Sequence, residues 1–452
     1  MSANLYRTKN PREYYHIHGS LDADVTLQML GLPKDNPDMT DYRTIINYIE
    51  SAVQQHTASE LDALNLAHRQ AGIQALTWPQ FQSTPHGKAL LSLPPFTVRP
   101  NPSDTHTTPP TPFPPPPSGN PTGGSRYALQ GIKVLELCRI IAGPTIGRSL
   151  AAHGAQVLKI TSPALPDVPF FQLDVNTGKH AVHLDLKHSP SDRATFLSLL
   201  QDADVLIDGY RPGALARLGY GPDVLADIAC KRGKGFVYVA EDCFGGTGLI
   251  PSSPSSPKDG VGWASRPGWQ QIADCVTGVA WAQGKFMGLD EPVVPPFPIS
   301  DYGTGALGSL AALVGLFKRA TEGGSWVCRT SLCQYDVFLM GLGLLPEEEQ
   351  ERLRREFGWG KEDGEEEGFF GLRHSDSVDE VGRRALARMR VVAPHLFEGE
   401  GGGRIMQEAW SEAFKGVVRW PREAVEIDGL KVGHVRPARP NGWDKEAGWE
   451  GW

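Results

Sequence analysis

Between Gly131 and Asp242 the chain alternates short β-branched runs with helix-period segments, and few folds accommodate such a pattern. GIKVLEL, QVLKIT, HAVHLDL, DVLIDGY and GFVYVAED read as strands. GPTIGRSLAAHG, SPSDRATFLSLLQDA and PGALARLGYGPDVLADIA read as the helices between them. Parallel strands need long crossovers, and helices of this length supply them, so the pattern predicts an α/β domain with strands buried on both faces. A strong helix over Gly303 to Arg319 and a strand at WVCRTSLC extend it.

The flanks differ. Residues 1–100 read as a mainly helical segment, with Ile45, Ile46, Ile49 and Val53 at helical spacing and Leu61, Leu64 and Leu66 in a second pattern. From Pro102 to Gly124 the run NPSDTHTTPPTPFPPPPSGNPTGG lacks the amide donors a helix or central strand needs, which predicts an exposed linker over 101–126; a proline-motif ligand for a partner domain is the alternative. The large domain then covers 127–335, and 336–452 reads as a charged, irregular extension whose acidic run after Leu345 is a solvated surface.

The 452 residues allow two or three domains with real cores. A formal net charge of −8 argues against a general nucleic-acid binder. The six cysteines lack the close pairs of a zinc site, which predicts reduced thiols and an intracellular, cytoplasmic protein, with mitochondria or peroxisomes as further locations. The opening residues contain no apolar secretion segment, and no later stretch reads as a membrane span. His16 and His18 have no compact set of partners, so no metal is expected.

Two strand-to-helix junctions draw attention to the carboxyl edge of the sheet. LCRIIAGPTIG carries Arg139, Gly143, Pro144 and Gly147 at a helix N-terminus, where free amides suit an anion, although its spacing is not the dinucleotide fingerprint. DGYRPGALARLGYG adds Tyr210, Arg211 and Arg217, which could pack on a base or neutralise phosphates. Asp301, in PISDYGTGALG, reads locally as a helix N-cap.

Taken together and in order, QGIKVLELCRIIAGPTIGRSLAAHGAQVLKI, NTGKHAVHLDLK, ADVLIDGYRPGALARLGYG and DYGTGALGSLAALVGLFKRATEGGSWVCRTSL resemble the large domain of family III CoA-transferases, a family that includes alpha-methylacyl-CoA racemases. The resemblance implies an open Rossmann-like parallel sheet, CoA or acyl-CoA as substrate with no permanently bound cofactor, a small carboxylic acid as the other partner, and a homodimer. It makes Asp301 the nucleophile that attacks an acyl-CoA thioester, forms a mixed anhydride and expels CoA, with Gly303, Thr304 and Gly305 keeping the approach open. It places Arg139, Ala142, Gly143, Lys179, Gly209, Tyr210 and Arg217 on CoA.

The chain departs from the pattern at Ser162, where a basic residue is common, and at Gly209, where asparagine is common. Trp269 stands where racemases carry a histidine; an indole cannot serve as a general base, so transfer is favoured over racemisation. YYHIHGSLDADVTLQMLGLP and SELDALNLAHRQAGIQALTWPQFQSTPHG resemble parts of the family's small domain, here ahead of the sheet, which suggests a divergent or rearranged member. A catalytically inactive acyl-CoA-binding or assembly protein is the third reading.

Overall fold

The computed structural model describes residues 1–104, 107–115, 126–247, 262–357, 368–397 and 405–450. The fold is mixed α/β, with a large, mostly parallel sheet and a helical N-terminal region. The chain forms two compact units, each assembled from three separate stretches: 1–94, 243–300 and 332–397 in one, 95–242, 301–331 and 398–452 in the other.

The second unit is built on a seven-stranded sheet, ordered Thr97–Pro100, Trp326–Ser331, Val237–Asp242, Val205–Asp208, Lys133–Leu137, Gln156–Thr161, His180–His183. Six strands are parallel and Thr97–Pro100 is an antiparallel edge. Counted in chain order, the six parallel strands lie 3-2-1-4-5-6, so the order reverses between Lys133–Leu137 and Val205–Asp208. Ligands of open α/β sheets settle in the crevice at that reversal, outside the carboxyl ends of the strands. The predicted strands are present, buried on both faces by two clusters, one around Leu135, Leu158 and Leu206 and one around Val134, Val157 and Ile207.

Two stretches differ from expectation. Residues 107–115 of the Pro-rich run are mostly exposed but are fastened within the second unit: Thr108 is buried, its carbonyl accepts from Gly324 N at 2.9 Å, and Thr111 N donates to Arg319 O at 3.1 Å. Proline removes donors but leaves every carbonyl free to accept. The rest of that run, 105–106 and 116–125, lies outside the described residues. The C-terminal stretch contains more regular structure than its composition suggested, with helices Glu347–Phe357 and Val378–Val392 and a hairpin of Met406–Ser411 with Gly416–Pro421. Helix Glu347–Phe357 has no buried residue, as its charge predicts, while part of the acidic run, 358–367, lies outside the described residues.

The first unit packs helices Tyr42–Val53 and Ala58–His68 on the antiparallel sheet Leu5–Arg7, Tyr14–His18, Ala71–Gln74. His374 fastens its last stretch: Nδ1 lies 3.0 Å from Glu291 Oε2 and Nε2 lies 2.8 Å from Glu50 Oε1. Carboxylates only accept, so both ring nitrogens must carry protons and the ring is an imidazolium. Burial opposes that charge, yet the two carboxylates outweigh it and raise the pKa above its ordinary 6.5. Burial likewise opposes the Glu291 charge, but His374 and Arg7 bring its pKa down to about 2. A raised histidine stabilises fully below its unfolded pKa and ceases to do so as pH rises through its folded pKa; the depressed Glu291 stabilises above about 4.5 and stops only as pH falls towards about 2. The stabilisation that His374 gives the first unit should therefore be complete up to about pH 6.5 and decline above it. His374→Gln should remove the decline, and an unchanged slope in that variant would disprove the assignment.

Candidate active site at the strand-order reversal

Asp301 lies inside helix Ile299–Thr321, in its first turn, rather than ahead of it. It is half-buried. The Gly-Thr-Gly segment that follows is helical. A Cβ on Gly305 would meet Thr145 at 2.5 Å, and one on Gly308 would meet Ile146 at 2.5 Å, so these glycines let the helix lie directly on helix Ala142–Ala152. Thr304 is fully buried, with Oγ1 3.4 Å from Ser331 O.

The other sequence-predicted residues gather at the reversal point. Arg139 follows strand Lys133–Leu137 and donates to Pro166 O at 2.6 Å, with its guanidinium 5.8 Å over the ring of Tyr210, which follows strand Val205–Asp208. Ala142 and Gly143 open the next helix. Between them and Arg139, Ile140 holds a φ of +69°. For a β-branched residue that backbone is strained, and such strain persists where surrounding structure imposes it, often at functional loops. Gly209 and Gly143 face the same side chains: a Cβ would meet Cys138 Cβ at 2.6 Å from Gly209 and at 2.8 Å from Gly143. Arg217 ends a short helix, is exposed, and returns its Nη1 to within 3.2 Å of the Cβ position of Gly213 in the same loop.

Lys179 sits beneath this group. Its side chain is fully buried, with Nζ 2.6 Å from Glu136 Oε2 and 2.6 Å from Pro144 O. Burial pulls its pKa down to about 8 against the support of Glu136. Gly147 makes room for the pair, because a Cβ there would lie 1.8 Å from Glu136 Oε2. Lys179 thus positions the loop carrying Gly143 and Pro144 and has no open path to a phosphate.

Beside Arg139 a cleft of about 290 Å³ opens between Ser162, Asp167, Gln172, His183 and Asn441. Nothing in the local sequence points to Asn441 as a lining residue. Its amide donates to Asp167 Oδ2 at 2.6 Å and its backbone N to Gln172 Oε1 at 3.0 Å, contacts that cross 274 and 269 positions of sequence. A second unforeseen residue is Glu241, at the end of strand Val237–Asp242 and next to Gly209 in the sheet register. Its two-carboxylate ending, GFVYVAED, was a visible signal, because charged side chains are costly at the end of a strand buried on both faces.

The family model of CoA-transferase family III matches residues 129–364. The chain belongs to CoA-transferase family III. It is 37% identical over 338 residues to the acetyl-coenzyme A transferase nodX of Hypoxylon pulicicidum, covering 75% of this chain and 54% of that protein. It is 34% identical over 337 residues to an acyl-CoA transferase of Gibberella moniliformis, covering 74% and 55%. The chain spans about half the length of these curated relatives. A crystal structure of Rv3272 from M. tuberculosis aligns at 19% identity with a TM-score of 0.49, over 71% of this chain and 98% of that one.

In this family III member the ring of Trp269 stacks on His18 at 5.3 Å. His18 in turn stacks on His16 at 5.5 Å, and burial pushes the His18 pKa down to about 4, so both histidines act as buried neutral rings. Among the described residues no group of His, Cys, Asp and Glu could hold a metal ion, and no helix is long and apolar enough to cross a membrane.

Proposed function

We propose that this protein moves CoA between an acyl-CoA and a free carboxylic acid, with Asp301 as the nucleophile. The observation that supports the reading is a half-buried carboxylate in the first turn of helix Ile299–Thr321, a helix that one turn later, at Gly305, lies against Ala142 O and Thr145 of the helix opening at the strand-order reversal. A carboxylate held against a thioester can displace the thiolate, and amides at a helix N-terminus can stabilise the oxyanion that forms. Arg139, Ala142, Gly143, Gly209, Tyr210 and Arg217 would line the CoA path, with Lys179 supporting the loop from below. The cleft beside Arg139 is at the small end of ligand pockets and would take one portion of CoA. Racemisation is disfavoured because the stacked Trp269 ring has no proton to exchange at neutral pH.

The test is to incubate the protein with a panel of acyl-CoAs and small carboxylic acids and to search intact and peptide masses for an adduct on Asp301. An adduct together with acceptor acyl-CoA supports transfer. Exchange at the alpha carbon without an adduct supports a racemase, and CoA binding without either supports an inactive acyl-CoA-binding protein.

We further propose a cytoplasmic homodimer. Its support is an apolar stripe on helix Ile299–Thr321, where Tyr302, Leu310, Val314 and Phe317 share one exposed face and Phe317 is 61% exposed. Phe317→Glu should convert a sedimenting dimer to monomer at micromolar concentration without lowering the thermal midpoint of the monomer. A monomeric starting protein would sink the proposal.

A further inference from the structure

The Glu241 side chain occupies an unusual place for a carboxylate. It leaves the end of strand Val237–Asp242 and lodges between the two loops that define the reversal point, with Oε2 3.3 Å from the Cβ position of Gly209 and 3.4 Å from that of Gly143. Both neighbours lack side chains there, so the carboxyl group fills space that a residue at either position would otherwise contest. Beside Gly209 the polar atoms therefore come from the adjacent strand. Glu241 is half-buried as a residue, and its electrostatic neighbours are Asp301, Asp242, Asp208 and the thiol of Cys138. None of these is cationic.

We propose that Glu241 is the proton carrier of this site. The inference rests on the nucleophilic reading of Asp301. An Asp301 oxygen bonds to the thioester carbonyl carbon, the carbon–sulfur bond breaks, and the sulfur leaves with the electron pair. The Glu241 carboxylic acid gives its proton to that sulfur, so CoA departs as a thiol and Glu241 becomes a carboxylate. When the CoA sulfur attacks the aspartyl anhydride, Glu241 takes the proton back, and no proton is gained or lost over the cycle. Burial, followed by repulsion from Asp242, Asp301 and Asp208, holds the Glu241 carboxyl well above the usual carboxylate range, which keeps it protonated at the start. An acid serves best when its pKa lies near the working pH, and a thiol leaving group also titrates near there.

The experiment uses the full chain and its Glu241→Gln and Asp301→Asn variants, with single-turnover release of thiol measured from pH 6 to 9. Two donors of one acyl group are compared, an acyl-CoA and an aryl thioester whose more acidic thiol leaves without a proton. Glu241→Gln keeps the size and the hydrogen-bond donors of the acid but cannot transfer a proton. It should slow release from acyl-CoA by about 10²-fold, lose the decline that wild type shows at alkaline pH, and release the aryl thiol at nearly the wild-type rate. Equal slowing with both donors would reduce Glu241 to a positioning residue and overturn the proposal. Wild-type rates in Glu241→Gln beside an inactive Asp301→Asn would overturn it while leaving the nucleophile intact. Undiminished release by Asp301→Asn would overturn the nucleophilic reading itself.

Discussion

Replacing Asp301 with Asn should reduce single-turnover release of CoA by on the order of 10³-fold or more and eliminate the mass adduct from the peptide that contains it. The amide is nearly the same size as the carboxylate, and the residue is half-buried in a helix whose packing is done by other positions. Folding should therefore change little. A carboxylate in a first helical turn contributes about 0.3–1 kcal/mol through the helix dipole, so the thermal midpoint should fall by only a few degrees. The two roles separate cleanly: a residue that merely complements the dipole would cost that small stability and leave the rate alone. Full activity in the Asn variant would refute the proposed mechanism.

The largest effect on stability should come from Lys179→Met. Methionine keeps most of the apolar stem but strands the Glu136 carboxylate, whose side chain is fully buried and whose Oε1 has no hydrogen-bond partner even with the lysine in place. Breaking a buried pair from one side costs about 3–5 kcal/mol, which corresponds to a fall of roughly 10 °C in a domain of this size. Adding Glu136→Gln should recover more than half of the loss, because no buried charge then lacks a partner. A midpoint within a degree of wild type in the single variant would show that Glu136 simply takes up a proton. The same pair anchors the catalytic-side loop through Pro144 O, so a well-folded double variant should still bind CoA more weakly than wild type.

Much of the second unit could be read from periodicity. Strand runs such as QVLKIT and DVLIDGY are short, β-branched and bounded by helix patterns, and every one of them lies in the sheet. The edge strand Thr97–Pro100 was not legible, since TVRP is too short to show a period and pairs with Trp326–Ser331 more than 220 residues away. The helices Gln270–Thr277 and Val279–Phe286 were obscured for another reason: they meet at Gly278, which holds a φ of +95° and breaks the pattern.

At the candidate site, residue type was more informative than local conformation. Asp301 stands out within its ordered context, but that Gly305 lies directly against Thr145 of another helix is visible only in the fold. Lys179 was identified as a cation near the site, yet a positive charge in a sequence does not say which carboxylate it meets. Only packing shows that Glu136, 43 positions earlier, claims it.

The sequence by itself determined the parallel α/β core, the two loops at its carboxyl edge and the carboxylate at Asp301, because periodicity and motif order are properties of neighbouring residues. The tertiary structure alone decided that Glu241 lies between Gly143 and Gly209, that Asn441 returns to the Arg139 cleft and that Lys179 is sealed against Glu136. Each depends on groups that only folding brings within a few ångströms, and at that range burial and charge set what a side chain can do.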